Sequence, residues 1–471
     1  MNPVMKGKTV AFLTLGCKVN SYETEGMREL FKKAGAEETE FDQKADVYIV
    51  NTCSVTNMAD RKSRQMLHRA KKKNPEALIV AAGCYAQAAG EYLSQEEGID
   101  LVIGNNNKAK IVEFVAEALA KTEEKRLALL DIGRERVYEE LPIETVTERT
   151  RAYIKIEDGC NQFCSYCIIP YVRGRVRSRA EGDILDEIKR LSEAGYREVV
   201  LTGIHLSSYG LDKNKDGKTE NAVSEFDVTL SGEEDKTEKV LPLLSLIKKV
   251  QEIDGIERIR LGSLEPRIMT EAFVKELSGL AKVCPHFHLS LQSGCDTTLK
   301  RMNRKYTAAE YKQAVECLRR YFTHPAITTD IIVGFPGETE EEFAETLRFA
   351  EEIRFAQIHI FKYSRRAGTV ADKMAGQVPE QKKTERSDVL ERVEKTLREA
   401  YEAWFTGHIE EVLFEERVEE NGLEYAVGHT TRYTKVFVEV QKDTLLPNET
   451  KTVLISGEKM KDGVLGQVCS L

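Results

Sequence analysis

The sequence predicts an α/β protein in three parts: an N-terminal open parallel-sheet domain, a central partial (β/α) barrel and a small C-terminal β-barrel. Three observations carry this reading. Short apolar runs alternate with helical stretches between residues 9 and 361, the pattern of parallel strands joined by crossover helices. The chain has 471 residues, room for about three domains. Beyond residue 408 the pattern changes to short alternating stretches broken by glycine turns. The expected boundaries are 1–122 for the first domain, 123–149 for a charged linker, 150–378 for the middle domain, 379–407 for a connecting helix and 408–471 for the last barrel.

In the first domain, Thr9–Gly16 reads as a buried strand ending in a glycine turn, followed at once by Cys17. A helical pattern then runs from Tyr22 to Ala34. Val47–Val50 precedes Asn51-Thr52-Cys53, and a basic helix over 59–73 follows. Leu78–Ala82 precedes Gly83-Cys84-Tyr85, and Leu101–Gly104 is a fourth strand. Cys17, Cys53 and Cys84 therefore each lie just past the carboxyl end of a strand, the edge where open parallel sheets bind ligands. Three cysteines on one rim suit a metal site; three buried structural cysteines are the plainer alternative.

The middle domain opens with the strand Ala152–Ile156 and then Cys160-x₃-Cys164-x₂-Cys167. Thiolates are soft iron ligands, and a four-iron cluster takes four. Three thiolates leave one iron open to a small ligand, as a catalytic cluster requires. Zinc is the rival metal, although it usually takes paired C-x₂-C units, and unrelated thiols are the third possibility. Arg173, Arg175, Arg177 and Arg179 alternate next and read as extended, with side chains on two faces, one suited to RNA or cofactor and the other to salt bridges. Helices over 183–194, 242–252, 271–280, 307–321 and 339–353 alternate with strands at Glu198–Leu201, Arg258–Leu261, His286–Leu291, Ile327–Val333 and Ile358–Phe361. Functional groups are expected at the strand carboxyl ends: Thr202-Gly203, His205, Ser263, Glu265, His288, Gln292-Ser293 and Asp330. Thr202-Gly203 offers exposed backbone to a cofactor's amino or carboxylate group, and Glu265 can hold hydroxyls or an amine. Gly334–Gly337 reads as a tight turn into a helix. Residues 211–240, polar and poor in apolar side chains, read as a solvated insertion.

A charged helix follows from Glu380 to about Phe405, and five strands close the chain. From His408 to Leu471 there are seven Lys/Arg against twelve Asp/Glu, which weakens an RNA-binding reading of that barrel on composition alone. The net charge is −9, so RNA contact must come from local patches: Arg61, Lys62, Arg64, Arg69 and Lys71–Lys73, the arginine series, or Lys300, Arg301, Arg304 and Lys305. No run of eighteen apolar residues and no signal-like N-terminus are present, so the expectation is a cytoplasmic chain with no membrane partner. Cysteines there are ligands or nucleophiles before they are disulfides. Cys284, Cys295, Cys317 and Cys469 lack partner spacing and read as structural.

The central triplet, with Tyr166 before its last cysteine, resembles the signature of radical S-adenosylmethionine enzymes. The resemblance covers nearly the whole chain. Leu-Gly-Cys17-Lys-Val-Asn, Asn-Thr-Cys53-Ser-Val-Thr-Asn and Gly-Cys84-Tyr-Ala-Gln are similar to the N-terminal domain of the methylthiotransferases, and the terminal barrel resembles the TRAM domain, a substrate-RNA binder. This resemblance implies two [4Fe–4S] clusters, one on Cys160, Cys164 and Cys167 and one on Cys17, Cys53 and Cys84. It also implies S-adenosylmethionine on the open iron, near Tyr166, Thr202, Gly203, Ser263, Glu265 and Gln292. One S-adenosylmethionine methylates sulfur at the N-terminal cluster, and a second yields the 5′-deoxyadenosyl radical. Lys18-Val19-Asn20, Tyr22-Glu23-Thr24-Glu25 and Lys62-Ser63-Arg64-Gln65 resemble the branch that acts on threonylcarbamoyladenosine at position 37 of tRNA. The other branches act on isopentenyladenosine in tRNA and on an aspartate of ribosomal protein S12; an iron–sulfur RNA-binding scaffold is the non-enzymatic alternative. A sulfur source and an electron donor such as flavodoxin or ferredoxin are the further implied partners.

Overall fold

The computed structural model describes residues 4–120, 126–144, 150–212, 241–440, 446–460 and 462–469. Strands β1 (Thr9–Thr14), β2 (Glu37–Thr39), β3 (Val47–Thr52), β4 (Leu78–Gly83), β5 (Leu101–Ile103) and β6 (Arg126–Ala128) form one parallel sheet in the order β2-β1-β3-β4-β5-β6. Helices Lys18–Ala34, Asn57–Lys73, Cys84–Gln95 and Ile111–Ala120 are its crossovers. β3 is buried along its whole length, as a central parallel strand covered on both faces must be. β2 and β6 escape a sequence reading because each is a three-residue edge strand with little apolar signal.

Within the expected linker 123–149, the described residues 126–144 are not a plain linker. Arg126–Ala128 pairs with β5, and Ile132, Leu141 and Ile143 are buried. Tyr138 donates to the carbonyl of Lys155, and Glu140 accepts from Arg179. These apolar residues follow no helical or strand period because each fills a separate gap along a strap between two domains. Of the expected insertion, 213–240 lies outside the described residues.

The middle domain comprises β7 (Arg151–Lys155), β8 (Glu157–Asp158), β9 (Arg177–Ser178), β10 (Glu198–Thr202), β11 (Arg258–Leu261), β12 (His286–His288), β13 (Ala326–Val333) and β14 (Gln357–Lys362). β7, β10 and β11 form one parallel sheet, and β12, β13 and β14 another. Parallel bridges Ile259–Val283 and Leu264–Leu289 join them into a six-stranded partial barrel. Ala152, Ile154, Val199, Leu201, Ile259 and Leu261 point outward into the core beneath the helices. By the two-residue alternation of strands, the inner face carries Arg151, Tyr153, Lys155, Glu198, Arg260, His286, His288 and His359. A closed barrel interior is normally filled with branched apolar side chains; a polar one is built to receive a ligand.

β15 (Ile409–Glu420), β16 (Leu423–Thr430), β17 (Lys435–Glu439), β18 (Thr450–Met460) and β19 (Gly463–Val468) close into a barrel after the helix Glu380–Ala403. This barrel stoppers the amino end of the middle domain. Arg151 pairs with Glu415 at 2.6 Å, and Arg258 and Arg260 donate to the carbonyls of His429 and Thr431. Tyr433 stacks on His286 at 4.9 Å and lies beneath the guanidiniums of Arg151 and Arg260. No helix among the described residues is long and apolar enough to cross a membrane.

Candidate active site: two cysteine triplets at one domain junction

The central triplet sits on the turn that follows β7 and β8. Gly159 has φ +82°, and a Cβ there would lie 2.0 Å from the carbonyl oxygen of Arg175, so only glycine fits. The amide of Cys160 donates to Gly174, that of Ser165 to Met302, and that of Cys167 to Cys164. Asn303 holds the loop by donating to the carbonyl of Phe163, which itself has φ +49°. Tyr166 packs edge-on against Phe335, so the Gly334–Gly337 turn also supplies an aromatic wall beside the last cysteine.

The other triplet comes from three strand ends. Gly16 has φ +104° and approaches Cys53 so closely that a Cβ would sit 2.8 Å from its sulfur. Cys84 opens a helix behind Gly83, which has φ +93°. Arg366, from beyond β14, donates to Ser54 Oγ and pairs with Asp60, which fixes the Cys53 loop against the middle domain.

Within each triplet the thiols act on one another. Burial first, then the charge of Cys84, raises Cys17; burial pushes Cys53 up to about 11, with Cys84 and Cys17 adding to the rise. Burial and the neighbouring thiols raise Cys160 far above the ordinary range and Cys167 to about 12. Such thiols are poor free nucleophiles at neutral pH, whereas a metal ion deprotonates them outright. None of the cysteines is in a disulfide. The donor set fits iron–sulfur ligation.

Between the triplets lies a buried ion cluster. Arg173 donates from Nε to Cys84 Sγ at 3.2 Å, and its Nη1 pairs with Glu23 at 2.8 Å and Asp158 at 2.9 Å. Lys108 and Lys155 also bind Glu23. Burial alone would raise Glu23, but Arg173, Lys108 and Lys155 pull it well below the usual carboxylate range. Arg177 and Arg179 are buried too, Arg179 on Glu187. Arg173, Arg177 and Arg179 thus make the expected salt bridges but no RNA-facing surface; of the four only Arg175 is exposed. The short helix Ile169–Val172 turns the chain inward, where carboxylates from another domain meet the guanidiniums. No local pattern reveals such partners.

Around the central triplet, Thr202 is buried and Ser263 is exposed. The amides of Ile204 and His205, just after Gly203, donate to Glu157, whose carboxyl burial pushes up to about 8. Glu265 accepts from Gln162 at 3.3 Å and pairs with His205 at 3.2 Å and Arg267 at 2.8 Å. Burial would raise it, but the His205 hydrogen bond and the nearby cations hold it at about 2. Gln292 is buried with φ +75°, its amide and carbonyl bonded to Asp330 and Ile332 of β13. Two groups went unrecognised as site residues. Arg304, read only as a possible phosphate contact, donates to Cys164 Sγ at 3.2 Å, and Glu157 showed no signal at all. Of its neighbours, Arg301 is occupied by Glu342. His288, Asp330 and His359 bring their ligand-type atoms within 4.8 Å of one another on the inner face. Beside them a cavity of about 700 Å³, lined by His286, Thr328, His359 and Tyr433 among others, opens between β14, the long helix and the terminal barrel. Cys284, Cys295 and Cys317 are buried, Cys284 within electrostatic reach of Arg260, and Cys469 is half-buried.

Lys18 stands apart. It is solvent-accessible, yet burial and the guanidiniums of Arg151 and Arg260 push its pKa down to about 8. Its Nζ lies 5.9 Å from the centre of the Tyr153 ring.

Residues 9–104 match a family model described as "Uncharacterized protein family UPF0004", and residues 154–350 match the radical SAM superfamily. The chain is 39% identical over 97% of its length, and 96% of the relative's, to the threonylcarbamoyladenosine tRNA methylthiotransferase MtaB of Bacillus subtilis (strain 168). The chain belongs to the radical S-adenosylmethionine methylthiotransferase family. Another member, the tRNA-2-methylthio-N(6)-dimethylallyladenosine synthase of Aquifex aeolicus (strain VF5), is 36% identical over 89% of both chains. In fold, the methylthiotransferase chain is similar to the radical S-adenosylmethionine methyltransferase TsrM of Kitasatospora setae, with a TM-score of 0.53 at 13% identity over 78% of this chain and 77% of that one. S-adenosylmethionine and [4Fe–4S] clusters are the cofactors of such a methylthiotransferase, and the two triplets offer the thiols they need.

Proposed function

We propose that this methylthiotransferase adds a methylthio group to C2 of N6-threonylcarbamoyladenosine 37 in tRNA. The observation that carries this is the pairing of two separate thiol triplets at one domain junction, in a chain matching a relative of that name along almost its whole length. Cys160, Cys164 and Cys167 hold one [4Fe–4S] cluster, and Cys17, Cys53 and Cys84 the other. When bound, the reduced cluster and S-adenosylmethionine supply a carbon radical able to take hydrogen from an unactivated C–H bond, which no side-chain acid or base can do.

The chain's residues position and enclose. Tyr166 and Phe335 form the apolar wall beside the open ligand position. Thr202, Gly203, Ser263, Glu265 and Gln292 ring the carboxyl ends of the strands, where S-adenosylmethionine binds. Glu265, ionised throughout the neutral range, is the group for its hydroxyls or amine. Glu157 braces the loop after Gly203 from behind by taking two amides. Arg173 and Arg304 each donate to one ligand sulfur, which stabilises the thiolate and moderates the charge of the loaded centre. The terminal barrel acts as a TRAM-like tRNA-binding module, and the exposed Arg61, Lys62, Lys72 and Lys73 of the Asn57–Lys73 helix are the phosphate contacts. The enzyme works in the cytoplasm with a sulfur source and an electron donor such as flavodoxin or ferredoxin.

The test is chemical. Reconstituted protein is given anticodon stem-loops carrying either threonylcarbamoyladenosine or isopentenyladenosine, and ribosomal protein S12 in parallel. Methylthiolation of the first alone is the expected result, and methylthiolation of either other substrate in its place overturns the proposal. The S12 arm is included because the terminal barrel is acidic, with twelve carboxylates against seven cations, a surface suited to a basic protein.

A further inference from the structure

We propose that Lys18 anchors the carboxylate of the substrate's N6 side chain and so selects an anionic adenosine over an uncharged one. This rests on the reading of threonylcarbamoyladenosine as substrate and assigns the residue that recognises it.

The first support is position. Lys18 follows Cys17 directly and begins the helix Lys18–Ala34. Its side chain leaves the N-terminal domain and reaches the inner face of the middle domain over the ring of Tyr153. His286 and His359, both lining the large cavity, feel its charge. One residue thus links the thiol rim to the recess where a base would enter.

The second support is the charge balance of that recess. Arg260 pairs with Glu198 at 2.9 Å, and Arg151 with Glu415 at 2.6 Å. Lys155 is held by Glu23 and Asp158. Arg258 donates to the carbonyls of His429 and Glu411. Glu198, the carboxylate nearest in effect to Lys18, is already shared by Arg151, Arg258 and Arg260. Asp330 is engaged by His288 at 3.3 Å. Among the described residues no carboxylate pairs with Lys18, whose ammonium lies over the ring of Tyr153. An exposed ammonium over the Tyr153 ring with no carboxylate of its own is open to an anion from outside the chain.

The third support is the chemistry of the base. N6 and C2 of adenine lie on the same edge, on either side of N1. If sulfur destined for C2 waits at the Cys17 triplet, the next residue's four-carbon side chain is directed at the substituent on N6. Threonylcarbamoyl ends in a free carboxylate, a hydrogen-bond acceptor of full negative charge. Isopentenyl ends in methyl groups and offers an ammonium nothing.

The experiment uses the full chain with both clusters reconstituted. Binding of two anticodon stem-loops is measured by fluorescence anisotropy, one carrying threonylcarbamoyladenosine and the other its carboxamide analogue, which keeps shape and removes charge. The wild type should prefer the acid by about tenfold or more, the size of one charge-assisted hydrogen bond in a partly dry site. In Lys18→Met the preference should fall to within about twofold, and Lys18→Arg should restore most of it, as a retained charge predicts. Iron content and circular dichroism verify that the variants are loaded and folded, and Lys18→Gln is the second neutral variant should Met perturb the adjacent Cys17. The proposal is overturned if the neutral variants keep the wild-type preference, or if they weaken both hairpins equally, as loss of a phosphate contact would. It is overturned alone if the wild type methylthiolates the threonylcarbamoyl hairpin without distinguishing acid from amide. If the wild type instead modifies only the isopentenyl hairpin, the substrate reading fails with it.

Discussion

The two cysteine triplets are built in opposite ways. Cys160, Cys164 and Cys167 occupy one loop, braced by backbone bonds to Gly174 and Met302. Cys17, Cys53 and Cys84 are spread over sixty-eight positions of sequence and meet only because β1, β3 and β4 are parallel neighbours. A loop can close around a cluster with small local shifts. A site assembled from strand ends needs the sheet, its register and the flanking domain in place first. Arg173 and Arg366 reach across from the middle domain to the second triplet, so that triplet also depends on domain docking.

Substitutions test this contrast, taken here from the largest expected effect downward. Cys164→Ala should abolish S-adenosylmethionine cleavage, read as 5′-deoxyadenosine, while about half of the wild-type iron remains on the other triplet. Unchanged cleavage would contradict the assignment of the central loop. Cys53→Ala should do the converse: cleavage persists, iron falls by about half, and no methylthio nucleoside forms. Arg173→Met leaves Glu23 and Asp158 short of a buried partner, which should cost about 3–5 kcal/mol in urea unfolding. It should also loosen iron on the N-terminal triplet more than on the central one, and equal loss from both would show that the two sites share one fate.

The smallest effect is a pH slope. Burial raises Glu157 to about 8, so the folded chain holds a proton there that an unfolded carboxyl releases near its ordinary value of 4.5. Between those values the folded state binds more protons, and stability from this group falls as pH rises. Glu157→Gln should flatten the stability profile between about pH 5 and pH 8, measured by unfolding of the metal-free chain. A profile parallel to the wild type would mean that the carboxyl is ionised in the fold.

The proposed ligand triplets were legible in advance. Apolar runs ending in Gly16-Cys17, Thr52-Cys53 and Gly83-Cys84 are local signals, and so is the spacing of the central triplet. The arginines were visible but misjudged. Alternation suggested an extended series with one face for cofactor or RNA and the other for salt bridges, whereas Arg173, Arg177 and Arg179 are all buried in ion pairs. Ile132, Leu141 and Ile143 were lost in a charged background for the same reason: what buries them comes from distant parts of the chain. Arg304 and Glu157 stand in ordinary sequence, and only their neighbours give them a role.

The sequence alone determined the α/β architecture and singled out the two cysteine triplets here proposed as cluster ligands. Strand and helix periodicity and short ligand spacing are properties of contiguous residues, and contiguity is what a sequence records. Tertiary structure decided which charges are paired. It turned an arginine series into the bond between two domains and left Lys18 with no carboxylate partner among the described residues. The role of a charged group depends on what stands within a few ångströms of it, and those neighbours are chosen by the fold.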